Sequence, residues 1–247
     1  MADWNETNQR QQGFGSVPRA GDAVTARETF DAGLRAHMMS IYNYMTSGVL
    51  LTGVVALLTA RSGLAIQFAS GQLMWLVALS PLAIVFAMSF GANRFSKTTL
   101  QAMYWAFAVL MGLSMSTIFL VFTGASIATT FFATAAAFAG LSLYGYTTKK
   151  DLSGFGTFLI MGVVGLIVAM VLNMFLQSDT LSLAISAIGV LIFAGLTAYD
   201  TQRLKEQYAY LRGTEFAGKA VVLGALTLYL DFINMFQFLL SFLGSRE

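Results

Sequence analysis

The sequence of 247 residues contains no cysteine and a single histidine, His37. A chain without cysteine has no disulfide, no thiolate metal site and no cysteine nucleophile. One histidine also excludes a multi-histidine metal site. Charged residues make up only 11% of the chain, against about 25% in soluble domains, which excludes both an ordinary soluble enzyme and a disordered chain. The net charge of +2 gives no indication of nucleic-acid binding.

Hydrophobic residues are abundant, at 57% of the chain, and they fall into seven blocks. A membrane-spanning helix needs about 20 apolar residues, and continuous runs of that length differ from the alternating pattern of a membrane barrel. We therefore predict an all-α, polytopic membrane protein with a bundle of seven transmembrane helices. The seven blocks are Met39–Ala60, Leu73–Gly91, Leu100–Phe122, Ser126–Tyr146, Gly154–Leu176, Leu181–Asp200 and Ala220–Leu243.

Polar segments outside the blocks divide the chain into two parts. Residues 1–35 are rich in charge, Asn and Gln, which predicts a flexible cytoplasmic tail, while residues 36–247 form the transmembrane domain. An amphipathic lead-in helix is expected to begin between Arg27 and His37. The longest loop is predicted at Thr201–Lys219, between the sixth and seventh blocks.

The positions of Lys and Arg predict how the chain is oriented in the membrane. Loops on the cytoplasmic side carry an excess of these residues. One side of the membrane has only Arg61 and Arg246, so the other side, which includes the amino-terminal tail, is predicted to be cytoplasmic. A chain with seven spans then has its carboxyl terminus outside. The twelve residues of the other side are Arg10, Arg19, Arg27, Arg35, Arg94, Lys97, Lys149, Lys150, Arg203, Lys205, Arg212 and Lys219.

Two acidic residues, Asp200 and Asp231, lie inside the hydrophobic blocks. An ionisable group in hydrocarbon is costly, so its presence indicates a function or a partner. Asp200 ends the sixth block, and Asp231 lies about 18 Å along its helix from Lys219. Because consecutive spans are antiparallel, we expect the two carboxylates to face each other.

Neighbouring polar residues support this site. Thr227 and Asn234 lie on the same helix face as Asp231, and Thr197 lies three residues before Asp200. Arg94, at the end of the second block, is the expected counter-charge for a carboxylate at that depth.

Structural roles are alternatives for each charged residue. Asp200 could form an ordinary helix-end ion pair with Arg203, at i+3. Asp231 could make a structural hydrogen bond in the bundle core. Arg94 could be a positively charged anchor at the membrane surface.

Three motifs resemble the Bax inhibitor-1-like family of transmembrane proteins. They are KKDLS at Lys149–Ser153, AYDTQ at Ala198–Gln202 and LYLDFIN at Leu228–Asn234, of which the last is the most specific. The similarity covers roughly residues 30 to 245. It implies a seven-helix bundle with the last helix in the centre, and a calcium-permeable leak that is sensitive to pH.

The resemblance also implies roles for individual residues. Asp200 and Asp231 match an aspartate pair that senses protons and calcium, and Arg94 matches an arginine that latches the pair shut. Ala83 stands where some members have an acidic residue. The chain ends without the lysine-rich tail of many animal members, so it resembles a bacterial protein of the inner membrane.

The expected function is therefore a pH-sensitive calcium leak and not an enzyme. Two adjacent carboxylates in a low dielectric share a proton, and with Thr, Asn and water they form a weak Ca²⁺ site. We expect no tightly bound cofactor, and the partners are the lipid bilayer, calcium and protons.

Other functions remain open at this stage. A second hypothesis is a membrane protein that modulates a membrane protease or another partner without transport. An intramembrane aspartyl hydrolase is disfavoured because no GxGD motif precedes Asp231. A proton-coupled transporter is disfavoured because we find no internal symmetry.

Overall fold

The structure is a computed structural model that describes residues 20–70 and 73–245. Residues 1–19, the larger part of the predicted tail, lie outside the described residues. The chain divides into a short unit that ends at Ala36 and a main unit that begins at His37. The residues discussed below as a site all belong to the main unit.

The described residues form helices and turns, and they contain no β-strand, so the all-α class is confirmed. A short 3-10 helix, Ser116–Leu120, follows the fourth α-helix. The α-helices are α1 (Ala20–Arg61), α2 (Leu64–Ser70), α3 (Leu73–Gly91), α4 (Lys97–Met115), α5 (Gly124–Thr147), α6 (Ser153–Leu176), α7 (Asp179–Leu211) and α8 (Ala217–Leu243).

Six helical segments in the described part of the chain are long and apolar enough to cross a membrane, which fits a polytopic membrane protein. α3 contributes only a shorter apolar segment, Trp75–Gly91. The number of seven spans therefore stays a prediction. The six segments are Glu28–Arg61, Lys97–Leu120, Gly124–Thr147, Ser153–Leu176, Asp179–Leu211 and Ala217–Leu243.

Two predicted boundaries are wrong. α1 begins at Ala20, before the start that we expected between Arg27 and His37, and the flexibility of the tail stays a prediction. α7 continues to Leu211, through the first half of the loop predicted at Thr201–Lys219. Both errors have the same cause, because an apolar block shows where a helix enters the membrane and not where its hydrogen bonding ends.

Short polar residues begin several of the helices. Ser96, Thr123 and Ser178 each accept a hydrogen bond from the backbone N–H three residues further on, at the starts of α4, α5 and α7. Such caps satisfy N–H groups that have no partner inside the helix. The hydroxyls therefore determine where these three helices start.

α8 is the most buried of the six candidate spans. Residues that are buried make up 61% of its apolar segment, against 11% in α6. It packs against α4, α5 and α7, and the hydroxyl groups of Thr52 on α1 and Tyr229 on α8 lie 2.6 Å apart. A polar residue on α8 is therefore surrounded largely by protein.

α7 is the direct neighbour of α8 and lies antiparallel to it. The turn between Leu211 and Ala217 contains Gly213, whose φ of +77° favours glycine. On its other side α7 passes so close to α5 that a Cβ on Gly145 would collide with the carbonyl oxygen of Ala198. α7 is thus held between α5 and α8 at the level of Asp200.

Candidate functional site

Asp200 on α7 and Asp231 on α8 meet inside the protein. Their carboxyl groups lie close enough to interact with each other, and their exposed fractions are 8% and 4%. Two carboxyl groups at this range can share a hydrogen bond only if one of them carries a proton. The structure therefore brings together the two acidic residues that were selected from the sequence.

Asp231 is the less satisfied member of this aspartate pair. Its Oδ2 atom is buried and has no hydrogen-bond partner among the described residues. A buried oxygen without a donor costs free energy, more so if it carries charge. A proton, a cation or a water molecule would satisfy this atom.

The cation beside the pair is Arg203. Its Nη1 atom lies 3.9 Å from Oδ1 of Asp200, three residues earlier on α7. The Arg203 side chain is 55% exposed, so water weakens the attraction. The helix-end pairing that we considered for Asp200 is thus present in the structure.

The structure does not bring Arg94 to the aspartates, contrary to our expectation. Arg94 is exposed in the turn between α3 and α4, where its backbone N–H donates to Gly91. The same turn lies beside the start of α8, because Nζ of Lys219 is 3.5 Å from the carbonyl oxygen of Ala92. Twelve residues of helix, about 18 Å, separate that level from Asp231. The cation paired with Asp200 in this structure is therefore Arg203, and a latch role for Arg94 stays a prediction.

The predicted supporting residues bond mainly to their own helices. Thr197 donates to the carbonyl of Phe193, Thr227 to that of Leu223, and Asn234 to that of Leu230. The side-chain oxygens of all three remain potential acceptors, since each of these bonds uses only a donor. They surround the pair at neighbouring helical turns without bonding to it.

Gln202 is a residue that sequence reasoning missed. Its Nε2 donates to the carbonyl of Lys150 at 2.8 Å, and its Oε1 accepts from the N–H of Leu152 at 2.9 Å. The side chain is buried and lies two residues beyond Asp200. Gln202 thereby holds the loop between α5 and α6 against the helix that carries Asp200. The sequence signal that could have predicted this contact is the presence of both motifs, KKDLS and AYDTQ, in one chain.

The loop that Gln202 holds also begins α6. Oδ1 of Asp151 accepts a hydrogen bond from the N–H of Ser153 at 2.8 Å. Hydrogen bonds from Ser153 hold the pKa of this exposed carboxyl below its ordinary value. Asp151 is therefore a structural anion, and it differs in role from the two buried aspartates.

A cavity of about 400 Å³ opens beside the pair, and we call it the Asp200 cavity. It lies between the end of α7 and the start of α8. Both Asp200 and Arg203 line it, so the ion pair is accessible from this side. Its other lining residues are Leu204, Gln207, Tyr210, Leu211, Phe216, Ala220, Leu223, Gly224 and Thr227.

The ligand chemistry here is limited to oxygen. The described residues contain no group of three or more His, Cys, Asp or Glu side chains that could hold a metal ion. Two carboxyl groups and nearby hydroxyls suit a hard cation such as Ca²⁺, which requires six to eight oxygens. Water would supply most of those ligands, so the site can bind such a cation only weakly.

Comparisons with known proteins agree with the motifs. Residues 34–247 match the family described as inhibitor of apoptosis-promoting Bax1. The chain is 47% identical to an uncharacterized protein of Caulobacter vibrioides over 241 residues, which are 93% of this chain and 96% of that protein. It is 43% identical to the inner membrane protein YbhL of Escherichia coli, over 93% of this chain and 98% of that protein. A membrane protein of Streptococcus pyogenes is 33% identical, with 88% and 96% of the two chains covered. The chain is therefore a member of the Bax inhibitor-1-like family of membrane proteins.

Proposed function

We propose that this protein is a pH-sensitive calcium leak of the bacterial inner membrane, and not an enzyme. The observation that carries the proposal is the buried contact between Asp200 and Asp231, with one carboxyl oxygen of Asp231 left without a partner. A carboxyl pair in this position has few structural alternatives, since each charge in a membrane interior is costly. The inner-membrane location is supported by the name of the Escherichia coli relative.

The pair acts through the number of protons that it holds. With one shared proton it carries a single negative charge and stays closed by its own hydrogen bond. Loss of the proton creates two adjacent anions that repel each other and attract a divalent cation. The change in charge therefore links pH and calcium to the contact between α7 and α8, and it shifts the balance between closed and open arrangements.

Arg203 stabilises the resting arrangement from the water-filled side. It neutralises part of the charge on Asp200 and competes with a cation that enters the Asp200 cavity. Because the side chain is more than half exposed, it can leave without disturbing the core. The arginine is thus a weak and reversible restraint.

In the membrane we propose seven spans arranged around α8, with the amino terminus in the cytoplasm and the carboxyl terminus outside. Burial of α8 supports the central position, and the distribution of Lys and Arg supports the orientation. α3 would be the additional short span that raises the number from six to seven, and it would be the second span in chain order. The Asp200 cavity then opens at the cytoplasmic end of α7 and α8.

The test is calcium flux into proteoliposomes at several values between about pH 6 and pH 8, the range that buried carboxyls can reach. Asp231→Asn keeps the shape of the side chain and removes the shared proton, so the pH dependence of flux should flatten and calcium affinity should fall. Asp200→Asn should do the same. Asp179→Asn, at the exposed start of α7, is the matched control and should behave as the unaltered protein.

Two results would contradict the proposal. An unchanged pH response in both Asp200→Asn and Asp231→Asn would leave the pair as structural polar packing. No calcium flux from the unaltered protein at any pH would favour a role through partner proteins.

A further inference from the structure

A polar stripe runs along α8 on both sides of Asp231. Thr227, Asp231, Asn234 and Ser241 follow one another at intervals of four, three and seven residues, which places them on one face of the helix. The stripe extends over about 21 Å, using about 1.5 Å per residue. Its first residue lines the Asp200 cavity, but the other end lies beyond the aspartate pair.

The far end of this stripe lines a second cavity of about 360 Å³, which we call the Asn234 cavity. It is formed by α6, α7 and α8 and shares no lining residue with the Asp200 cavity. No charged side chain lines it, and six of its nine lining residues carry a neutral hydroxyl or amide. These six are Asn173, Ser182, Ser186, Asn234, Gln237 and Ser241.

This polar lining is difficult to explain by packing alone. Asn234 lies about 13 Å along α8 from its end at Leu243, inside a candidate span, where an amide next to hydrocarbon would be costly. Its Nδ2 donates to the carbonyl of Leu230, so its own carbonyl oxygen remains an acceptor. The volume has room for about ten water molecules, which would solvate these groups.

The two helices are also joined at the outer part of the cavity. Oγ of Ser186 on α7 and Oγ of Ser241 on α8 lie 3.1 Å apart, within hydrogen-bond distance, and the Ser186 hydroxyl also lies 2.9 Å from the carbonyl oxygen of Ser182. This bond holds the hydroxyls together, and their free lone pairs remain available as ligands. The cavity therefore offers several fixed neutral oxygens, which are the ligands that Ca²⁺ accepts together with water.

We propose that the Asn234 cavity is a second cation-binding site, a vestibule that holds a partly hydrated Ca²⁺ at the opposite end of α7 and α8 from Arg203. Its role as an entrance or exit of the leak rests on the proposed function, but its binding of calcium does not. Neutral ligands make the site weak, with a Kd of about 1 mM or above. A weak site of this kind lets an ion enter and leave readily.

The absence of cysteine makes the test direct, because each introduced thiol is the only one in the chain. Ser241→Cys and Asn234→Cys are labelled with a cationic methanethiosulfonate reagent, in nanodiscs that expose both membrane faces. Only a thiol in contact with water forms the reactive thiolate. Ile188→Cys, on an exposed face of α7 that the proposed membrane arrangement places in lipid, is the matched control and should react slowly.

Both cavity thiols should react, and about 10 mM Ca²⁺ should slow the labelling about tenfold for a Kd of about 1 mM. K⁺ at equal ionic strength should have little effect. Ile185→Cys, at a lining residue whose side chain supplies no oxygen ligand, keeps the test valid even if Ser241→Cys or Asn234→Cys weakens calcium binding or does not fold. Absence of labelling, or labelling that Ca²⁺ does not slow, would overturn the inference.

The flux assay separates this inference from the proposed function. Calcium protection without calcium flux would retain the binding site and reject the leak. Calcium flux without protection would retain the leak and reject the vestibule.

Discussion

Replacing Arg203 by glutamine tests which arginine restrains the aspartate pair. Across 3.9 Å, two unit charges attract each other by about 1 kcal/mol in water and by about 4 kcal/mol at an effective dielectric constant of 20. The Arg203 side chain is 55% exposed, so the lower value applies. A change of about 1 kcal/mol in the closed state alters its population about fivefold.

Arg203→Gln should therefore raise basal calcium flux about fivefold at neutral pH and low salt, since the closed state loses an attractive contact. Arg94→Gln is the matched control, because it removes the same charge from a side chain that makes no ion pair among the described residues. Its flux should stay within about twofold of the unaltered protein, the change expected of a distant exposed charge. The assay is a calcium indicator inside proteoliposomes, with protein content measured for each preparation.

Two further measurements refine this prediction. In an Asp200→Asn background, Arg203→Gln should have little additional effect, because the two side chains act through one contact. Added salt should reduce the difference between Arg203→Gln and the unaltered protein. A large rise in flux from Arg94→Gln, with none from Arg203→Gln, would refute our placement of the counter-charge.

Three other expectations can be checked with simple measurements. Gln202→Ala leaves a carbonyl and an N–H of the α5–α6 loop without a partner and should lower the free energy of unfolding by about 2 kcal/mol, measured by denaturation in detergent. The control Gln207→Ala should have little effect. Equal stability of the two variants would contradict the role of Gln202 in holding the loop. A reporter fused after Glu247 should be active outside the cytoplasm, and a cytoplasmic signal would mean an even number of spans. Deletion of residues 1–19 should leave membrane insertion and flux intact, and a lost pH response would instead identify a regulatory segment.

Much of the fold was predictable because the membrane imposes one simple requirement on the sequence. Each span must be helical and apolar, so the hydrophobic blocks mark the helices that the structure contains. α2 was missed because seven residues are too few to produce a block. The continuation of α7 beyond Asp200 was missed because its polar residues resemble a loop by hydropathy, although Leu204 is buried.

The two aspartates were identifiable for a related reason, since an acidic residue is conspicuous within apolar surroundings. The positively charged partner of Asp200 was harder to predict from the sequence. The i+3 spacing already offered Arg203 as a partner of Asp200, but only the path of the chain shows that Arg94 does not pair with it. Gln202 gave no signal from its own type, because a glutamine at a helix end is ordinary and its partners are backbone atoms 50 and 52 residues away.

The tight turn between α7 and α8 has a consequence for how the protein enters the bilayer. A lone aspartate near the middle of a helix opposes insertion by about 2.5 to 3.5 kcal/mol. Because the turn at residues 212–216 is so short, α7 and α8 can enter as one helical hairpin in which Asp200 already faces Asp231. One shared proton then removes half of the charge before hydrocarbon surrounds it. Membrane insertion is therefore a separate reason for the two aspartates to lie on adjacent helices. Lengthening this turn should impair insertion even if the folded protein tolerates the longer turn.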